Sequence, residues 1–208
     1  MSRLFSTLGL ACLTLILSTA ARAEVQVLTS IKPLQLIAAA VQDGVGTPEV
    51  LLPPGASPHH YALRPSDVRR VREATLMYWV GPDLESFLPR VLSGRELPSV
   101  AVQDLPGMTL RHFGEGEAAH EHDHDEHEHG EHAHADAGDD VLKHDHDHRP
   151  GTLDAHLWLL PANARVIAAR MAADLALADP ANAARYQANF ASFEQRLAAL
   201  DARLKPQL

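Results

Sequence analysis

The chain has 208 residues, 46% of them hydrophobic, with a net charge of −9 and a single cysteine, Cys12. The acidity is local, because residues 112–149 carry 13 acidic and 2 basic residues, whereas the rest has 14 acidic and 16 basic. A near-neutral body without a basic stripe gives no sign of nucleic-acid binding, and one cysteine excludes an internal disulfide.

The first 23 residues follow the pattern of a secretory signal peptide. Arg3 precedes an apolar run over residues 8–17, and residues 21–23 form an A-x-A cleavage motif. The run is too short to cross a bilayer comfortably, which argues against the alternatives of a retained anchor or lipoprotein processing at Cys12. We therefore expect residues 1–23 to be removed, leaving an exported chain that begins at Glu24 and lacks cysteine.

Short apolar strands alternate with helices over residues 24–111. The predicted strands are 25–30, 49–52, 75–80 and 99–102, and the predicted helices are 32–42, 66–73 (with Ser66 as its cap) and 84–92. Continuous apolar runs suit strands that are covered on both faces, and their alternation with helices favours a parallel sheet. The pattern predicts an N-terminal α/β lobe, a parallel sheet flanked by helices.

From residue 112 to 151 the composition changes to His, Asp, Glu, Ala and Gly. Such a segment buries too little apolar surface to offset its ordering entropy, so we expect a disordered loop. Its histidines alternate with carboxylates, and both are ligands for Zn²⁺ and related cations. These candidate ligands are His120, His122, His124, His127, His129, His132, His134, His144, His146 and His148. The pattern does not separate zinc from nickel, copper or cobalt, and an incidental metal binder or a solvated linker is the alternative.

The remainder of the lobe is expected over residues 152–179, followed by a long helix over 180–208. The apolar residues of this helix recur at spacings of three and four, at Tyr186, Phe190, Phe193, Leu197, Leu200 and Leu204. A stripe this short favours a helix packed on its own domain over a coiled-coil seam.

Two more candidate metal-binding segments lie beside predicted strands. In the first, His59 and His60 follow the proline- and glycine-rich turn 53–58; in the second, His156 enters ordered structure just after the acidic loop. A selective site needs ligands that a fold holds in place, and ligands of open α/β sheets gather beyond the carboxyl ends of the strands. Taken alone, each histidine is more often structural than a metal ligand.

Several motifs in a fixed order resemble the zinc-specific periplasmic solute-binding proteins of bacterial ABC importers. These are residues 52–61 (LPPGASPHHY), 63–67 (LRPSD) and 79–85 (WVGPDLE), then the acidic His-rich loop, residues 154–158 (DAHLW) and the long helix. The resemblance runs from about Val25 to the end. It implies two α/β lobes joined by a rigid helix with the metal between them, and it implies that His59 and His156 are ligands from the first lobe.

The sequence departs from the family pattern at two places. His60 stands where the family often has an acidic residue, so it could assist His59, replace it or face solvent. The chain stops at Leu208, near the end of the linking helix, so the resemblance implies a fragment whose second lobe, with a further histidine and often a carboxylate, is missing. Because zinc prefers four ligands, two fixed histidines alone are expected to bind weakly unless the loop or water completes the sphere.

The resemblance implies a function in transport: a monomer captures Zn²⁺ in the periplasm and delivers it to an ABC permease and its ATPase. Neutral imidazoles would release the metal as the compartment acidifies, and the loop is expected to collect or sense zinc. The alternatives are a periplasmic His-rich metal buffer without an importer, a relative that binds manganese or another divalent metal, and a zinc hydrolase. No H-E-x-x-H motif and no recognisable Ser/His/Asp arrangement supports the hydrolase.

Overall fold

The computed structural model describes residues 24–114 and 149–207 of the chain. The predicted signal peptide and the ten loop histidines lie outside these residues. Four short strands form a parallel sheet in the order β2-β1-β3-β4. They are β1 (Val27–Thr29), β2 (Glu49–Val50), β3 (Leu76–Trp79) and β4 (Ser99–Ala101). The predicted parallel α/β sheet is confirmed.

Helices connect and follow the strands. The α-helices are α1 (Lys32–Val41), α2 (Pro65–Glu73), α3 (Pro89–Leu92), α4 (Pro161–Ala178) and α5 (Ala183–Leu204). Short 3₁₀ turns occupy Val102–Asp104, Leu157–Leu159, Pro180–Asn182 and Lys205–Gln207. The long last helix is therefore confirmed, with its first regular turn at Ala183, after a 3₁₀ turn that begins at Pro180.

The core lies between the sheet and the packed helices α1, α4 and α5. Every residue of β1 and β3 is buried, as the continuous apolar runs predicted. The side chain of Tyr78 on β3 is 1% exposed, and its hydroxyl donates to Asp174 on α4 at 2.9 Å. Burial, with the nearby Asp174 carboxylate, raises the pKa of Tyr78 well above its ordinary value. This hydrogen bond ties the sheet to α4.

The second helix begins with Pro65, and the prediction that Ser66 caps it is wrong. Pro65 takes the first helical position, where its missing N–H costs no hydrogen bond. The backbone N–H of Arg64 before it donates to the Asp67 carboxylate at 3.0 Å. Asp67 also accepts from the Tyr61 hydroxyl at 3.0 Å. Burial acts to raise the pKa of Asp67, but the hydrogen bonds from Arg64 and Tyr61 outweigh it and lower that pKa.

The helix predicted over residues 84–92 exists only as Pro89–Leu92. A proline at position 89 of a longer helix would lack the N–H for the Glu85 carbonyl, and its ring would clash with that carbonyl. The chain forms turns instead, in which Glu85 folds back and its carboxylate accepts from the N–H groups of Val80 and Gly81 at 2.8 and 3.1 Å. Glu85 is fully buried, and burial raises its pKa to about 7.

The long helix α5 is packed over its first half and more exposed over its second. Asn189 is 9% exposed, and its amide donates to the carbonyls of Val41 and Asp43, both at 2.9 Å, where α1 ends. Leu200 and Leu204 are 38% and 40% exposed. The predicted apolar stripe is thus a packing face for the early turns of α5. None of the helices within residues 24–114 and 149–207 has the length and hydropathy to span a membrane.

Candidate metal centre

The turn that precedes His59 follows directly from its sequence. Beyond β2 the chain continues alongside β1, since the N–H of Leu52 donates to the Ser30 carbonyl at 3.0 Å. It then turns back, with the Ala56 N–H donating to the Pro53 carbonyl at 3.1 Å and Gly55 at φ +80°. Proline at the second position and a positive-φ glycine at the third are typical of a type II turn. The turn predicted from the prolines and glycine is confirmed.

The segment 57–61 is anchored on both sides of its two histidines. Before them, the Ser57 hydroxyl accepts the N–H of His59 at 3.3 Å. After them, Tyr61 donates to the buried Asp67 and packs edge-on against Phe87, with ring centroids 5.8 Å apart. His59 is half-buried and His60 is exposed. Of the two adjacent histidines, His59 is therefore the one that the fold shelters.

The segment that carries His156 is joined to the chain that leads into the acidic insert. His112 and Leu153 form an antiparallel bridge, and the Asp154 N–H donates to the Arg111 carbonyl at 2.8 Å. The Phe113 N–H donates to the Thr152 carbonyl at 2.9 Å. The residues on either side of the insert therefore pair with each other, immediately before His156.

Asn163, in the first turn of α4, acts as a clamp: its side chain hydrogen-bonds to the main chain on both sides of this segment. It is 1% exposed, and its amide N–H₂ donates to the carbonyls of Thr109 (2.8 Å) and Leu157 (3.0 Å). Its amide oxygen accepts the Thr109 N–H at 2.7 Å. Sequence reasoning missed Asn163, because an asparagine near a helix start usually signals a local cap and not a link between distant segments.

The two histidines singled out from the sequence meet in space. The ring centroids of His59 and His156 are 6.2 Å apart. A zinc ion lies about 2 Å from each imidazole nitrogen, so two rings that share one ion have centroids about 5 to 6 Å apart. The observed separation is just beyond this range.

His60 is also near His59, with ring centroids 6.3 Å apart, so distance alone does not separate the two partners of His59. Within residues 24–114 and 149–207, no group of three or more His, Asp or Glu side chains is arranged to hold a metal. The described part of the chain therefore offers pairs of ligands around His59, fewer than the four that zinc prefers.

The His156 ring has close neighbours of two kinds. Its Nδ1 lies 2.8 Å from Oδ1 of Asp154, and its own backbone N–H donates to the same oxygen at 3.1 Å. The indole of Trp158 meets the ring edge-on, with centroids 5.5 Å apart. The ring is thus held by a carboxylate at one nitrogen and by an aromatic side chain beside it.

His156 borders an apolar cavity of about 470 Å³. Ile31 and Pro33, which follow β1, line it together with Leu52, which follows β2, and with His156 and Trp158. The expectation that the histidines converge beyond the carboxyl ends of the parallel strands is confirmed. Apolar walls lower the local dielectric, which strengthens the attraction between a cation and its ligands.

The sequence was compared with known families and proteins. Residues 27–208 match the family model described as zinc-uptake complex component A, periplasmic. The high-affinity zinc uptake system protein ZnuA of Yersinia pestis is 42% identical over 186 residues, which cover 85% of this chain and 54% of that protein. The chain therefore spans about half the length of that relative.

Solved structures share the fold at lower identity. The zinc-bound ZnuA-like domain of Streptococcus pneumoniae AdcA superposes with a TM-score of 0.61 at 17% identity, covering 86% of this chain and 54% of that one. A manganese-bound periplasmic metal-binding protein from Candidatus Liberibacter asiaticus gives 0.62 at 19%, covering 86% and 55%. Proteins bound to either metal share the fold, so the fold does not identify the ion. The match over residues 27–208 and the identity to the Yersinia protein place the chain in the family of periplasmic zinc-uptake complex component A proteins.

Proposed function

We propose that the chain captures Zn²⁺ in the periplasm and passes it to an ABC permease driven by its ATPase. The observation that carries the proposal is the meeting of His59 and His156, 6.2 Å apart at their centroids, from two loops far apart in sequence. Membership of the zinc-uptake family supports the metal, the compartment and the importer. The A-x-A motif at residues 21–23 supports export and cleavage before Glu24.

The mechanism is capture by ligand exchange, without catalysis. Neutral imidazoles of His59 and His156 replace two of the waters around the ion, and the walls of the cavity beside His156 are mainly apolar. Nitrogen donors favour zinc over the harder Mn²⁺, which prefers oxygen donors. The remaining ligands come from water, from the His-rich insert or from a second lobe such as the resemblance implies. His60, which is exposed, assists at most during entry of the ion.

The His-rich insert has a separate part in the proposal. Its ten histidines and thirteen neighbouring carboxylates concentrate cations close to the folded pair, because the residues that flank the insert pair with each other just before His156. The competing function is a metal buffer that works through the insert alone. The protein acts as a monomer in either case.

Zinc titration calorimetry tests the proposal. Residues 115–148 are replaced by a short Gly/Ser linker, and this protein is titrated beside its His59→Ala/His156→Ala double variant and a His112→Ala control. We expect one specific site, lost or weakened at least about 100-fold in the double variant and unchanged in the control. His60→Ala is expected to leave the affinity unchanged, because His60 is exposed and is not one of the two proposed ligands.

Two other results would count against the proposal. Equal affinities in the double variant and its parent would remove the folded pair as the site, and binding only with the insert present would favour the buffer. Competition with Mn²⁺ in the same titration addresses the remaining alternative. Displacement of zinc by equimolar manganese would contradict a zinc-selective pair.

A further inference from the structure

We infer that Asp154 is a positioning residue that fixes His156 in the tautomer protonated at Nδ1 and thereby leaves Nε2 to bind the metal. The inference rests on the proposed function, since it takes His156 as a metal ligand. It concerns a residue that neither the motif spacing nor the comparisons assign.

The hydrogen-bonding groups at this contact determine the tautomer of His156. An ionised carboxylate can only accept hydrogen bonds, so the 2.8 Å contact between Asp154 Oδ1 and His156 Nδ1 requires a proton on Nδ1. A neutral imidazole carries one N–H, so its other nitrogen then holds the lone pair. A metal needs that lone pair. Nε2 is therefore the nitrogen available to an ion shared with His59.

The carboxylate is itself held in place, which separates positioning from a chance surface contact. The same Oδ1 accepts the backbone N–H of His156 at 3.1 Å, so one oxygen fixes both the main chain and the ring. The Asp154 N–H donates to the Arg111 carbonyl at 2.8 Å, next to the bridge between His112 and Leu153. The position of the Asp154 carboxylate is therefore fixed by main-chain hydrogen bonds as well as by its side-chain rotamer.

The ring is also restrained from other directions. Trp158 packs edge-on against it at 5.5 Å, and Asn163 holds the carbonyl of the next residue, Leu157, at 3.0 Å. The side chains of His156 and Asp154 are 34% and 36% exposed, so about two thirds of each is shielded from water. A carboxylate behind a metal-binding imidazole raises the ligand's basicity and fixes its orientation, and loss of such a partner typically costs 10- to 100-fold in metal affinity.

Nuclear magnetic resonance of the full chain with ¹⁵N-labelled histidine tests the inference. Long-range ¹H–¹⁵N spectra at about pH 8, recorded with chelator, distinguish the two tautomers, and the His156→Ala spectrum assigns the resonances. We expect His156 to be protonated at Nδ1, and in Asp154→Ala we expect this preference to be lost. Addition of zinc should then shift the Nε2 resonance of the unsubstituted chain.

Conservative replacement supplies the second readout. Asp154→Asn keeps an oxygen that can accept from Nδ1, so it should restore the Nδ1–H tautomer and most of the affinity that Asp154→Ala loses, about 10- to 100-fold. Asp83→Ala is the matched control, because the Asp83 carboxylate accepts from Gln103 at 2.8 Å away from the histidines. That control should leave both the tautomer and the affinity unchanged.

Two spectroscopic results would overturn the inference, even if zinc affinity fell. One is a His156 protonated at Nε2 in the unsubstituted chain, and the other is a tautomer that Asp154→Ala leaves unchanged. A confirmed Nδ1–H tautomer combined with undiminished zinc binding in His156→Ala would instead count against the proposed function. The metal-free spectrum thus tests the role of Asp154 independently of the proposed zinc-binding function.

Discussion

The two loops that bring His59 and His156 together are held by different means. The His59 loop is shaped by its own sequence, through Pro54, Gly55 and Ser57, and is fastened at its end by Tyr61. The His156 loop is fastened mainly from outside, by Asn163. A turn that is built locally can be read from the sequence, whereas a clamp between distant segments shows only in the fold.

The turns after β3 and the Asn163 clamp differ in their response to pH. Just beyond β3, the fully buried Glu85 accepts from Val80 and Gly81, and its carboxyl can gain a proton near neutral pH. The amide of Asn163 does not titrate. A change in pH should therefore act on the turns after β3 and leave the Asn163 clamp unchanged.

Removing the clamp is expected to have the largest effect. Asn163→Ala leaves the N–H and carbonyl of Thr109 and the carbonyl of Leu157 without their amide partner. The buried Leu157 carbonyl costs about 1–3 kcal/mol when it loses its hydrogen bond, and the two part-buried bonds of Thr109 add a smaller amount each, so we expect the free energy of unfolding to fall by about 3–5 kcal/mol. Urea denaturation measures this loss.

The control for this variant is Asn182→Ala. It removes a single hydrogen bond, from the Asn182 amide to the Asp179 carboxylate at 2.6 Å. It should cost about 1 kcal/mol or less. Equal losses in the two variants would mean that Asn163 is an ordinary cap and that the two histidine loops do not differ in the way described.

Neutralising Glu85 is expected to have the next largest effect, and one that depends on pH. The carboxyl has a folded pKa of about 7 against an ordinary value of 4.5, so the folded state binds the proton more tightly. The stabilisation is complete below about pH 4.5 and is lost as the pH rises through about 7, which corresponds to about 3 kcal/mol. Glu85→Gln should remove this part of the pH dependence.

Denaturation with chelator at pH 5, 6, 7 and 8 provides the measurement. The difference between the two proteins cancels the contributions of the ionisable groups that both proteins share. We expect Glu85→Gln to gain stability relative to the unsubstituted chain as the pH rises. A difference that stays constant from pH 5 to 8 would show that Glu85 remains ionised in the folded protein.

The smallest effect is expected at the end of the His59 loop. Tyr61→Phe removes the hydroxyl that donates to Asp67 at 3.0 Å but keeps the ring contact with Phe87. The loss of one such hydrogen bond should lower the free energy of unfolding by about 1 kcal/mol. Tyr78→Phe, which removes the hydroxyl bound to Asp174, is the comparison within the sheet. A zinc affinity that falls in Tyr61→Phe and not in Tyr78→Phe would show that Tyr61 positions the histidine loop.

The sequence predicted those features that depend on local pattern. The parallel sheet followed from buried runs such as Leu76–Trp79, and the turn at Gly55 followed from its proline neighbours. His59 and His156 were singled out by motif and by their position beside strands, and the fold brings them together. The buried strands and the turn are determined by local sequence, whereas the meeting of the two histidines depends on the fold.

The features that sequence reasoning missed depend on contacts across the fold or on one residue that overrides its neighbours. Asn163 acts on Thr109, far away in the chain, and no local pattern marks that link. Over residues 84–88 the apolar pattern suggested a helix, but Pro89 and the return of the Glu85 carboxylate to the strand end favoured turns. The contact between Asp154 and the His156 ring could not be predicted either. The two residues are two positions apart, and this spacing alone does not indicate how the ring is oriented.

The bridge between His112 and Leu153 has a consequence for how the insert can vary. For a flexible chain closed between two paired ends, the entropy of closure depends on length only logarithmically, and doubling the length adds about 0.6 kcal/mol. The number of residues between the flanks, and with it the number of histidines, can therefore change widely at little cost to the stability of the lobe. The histidine content between the flanks and the geometry of the folded pair can evolve almost independently.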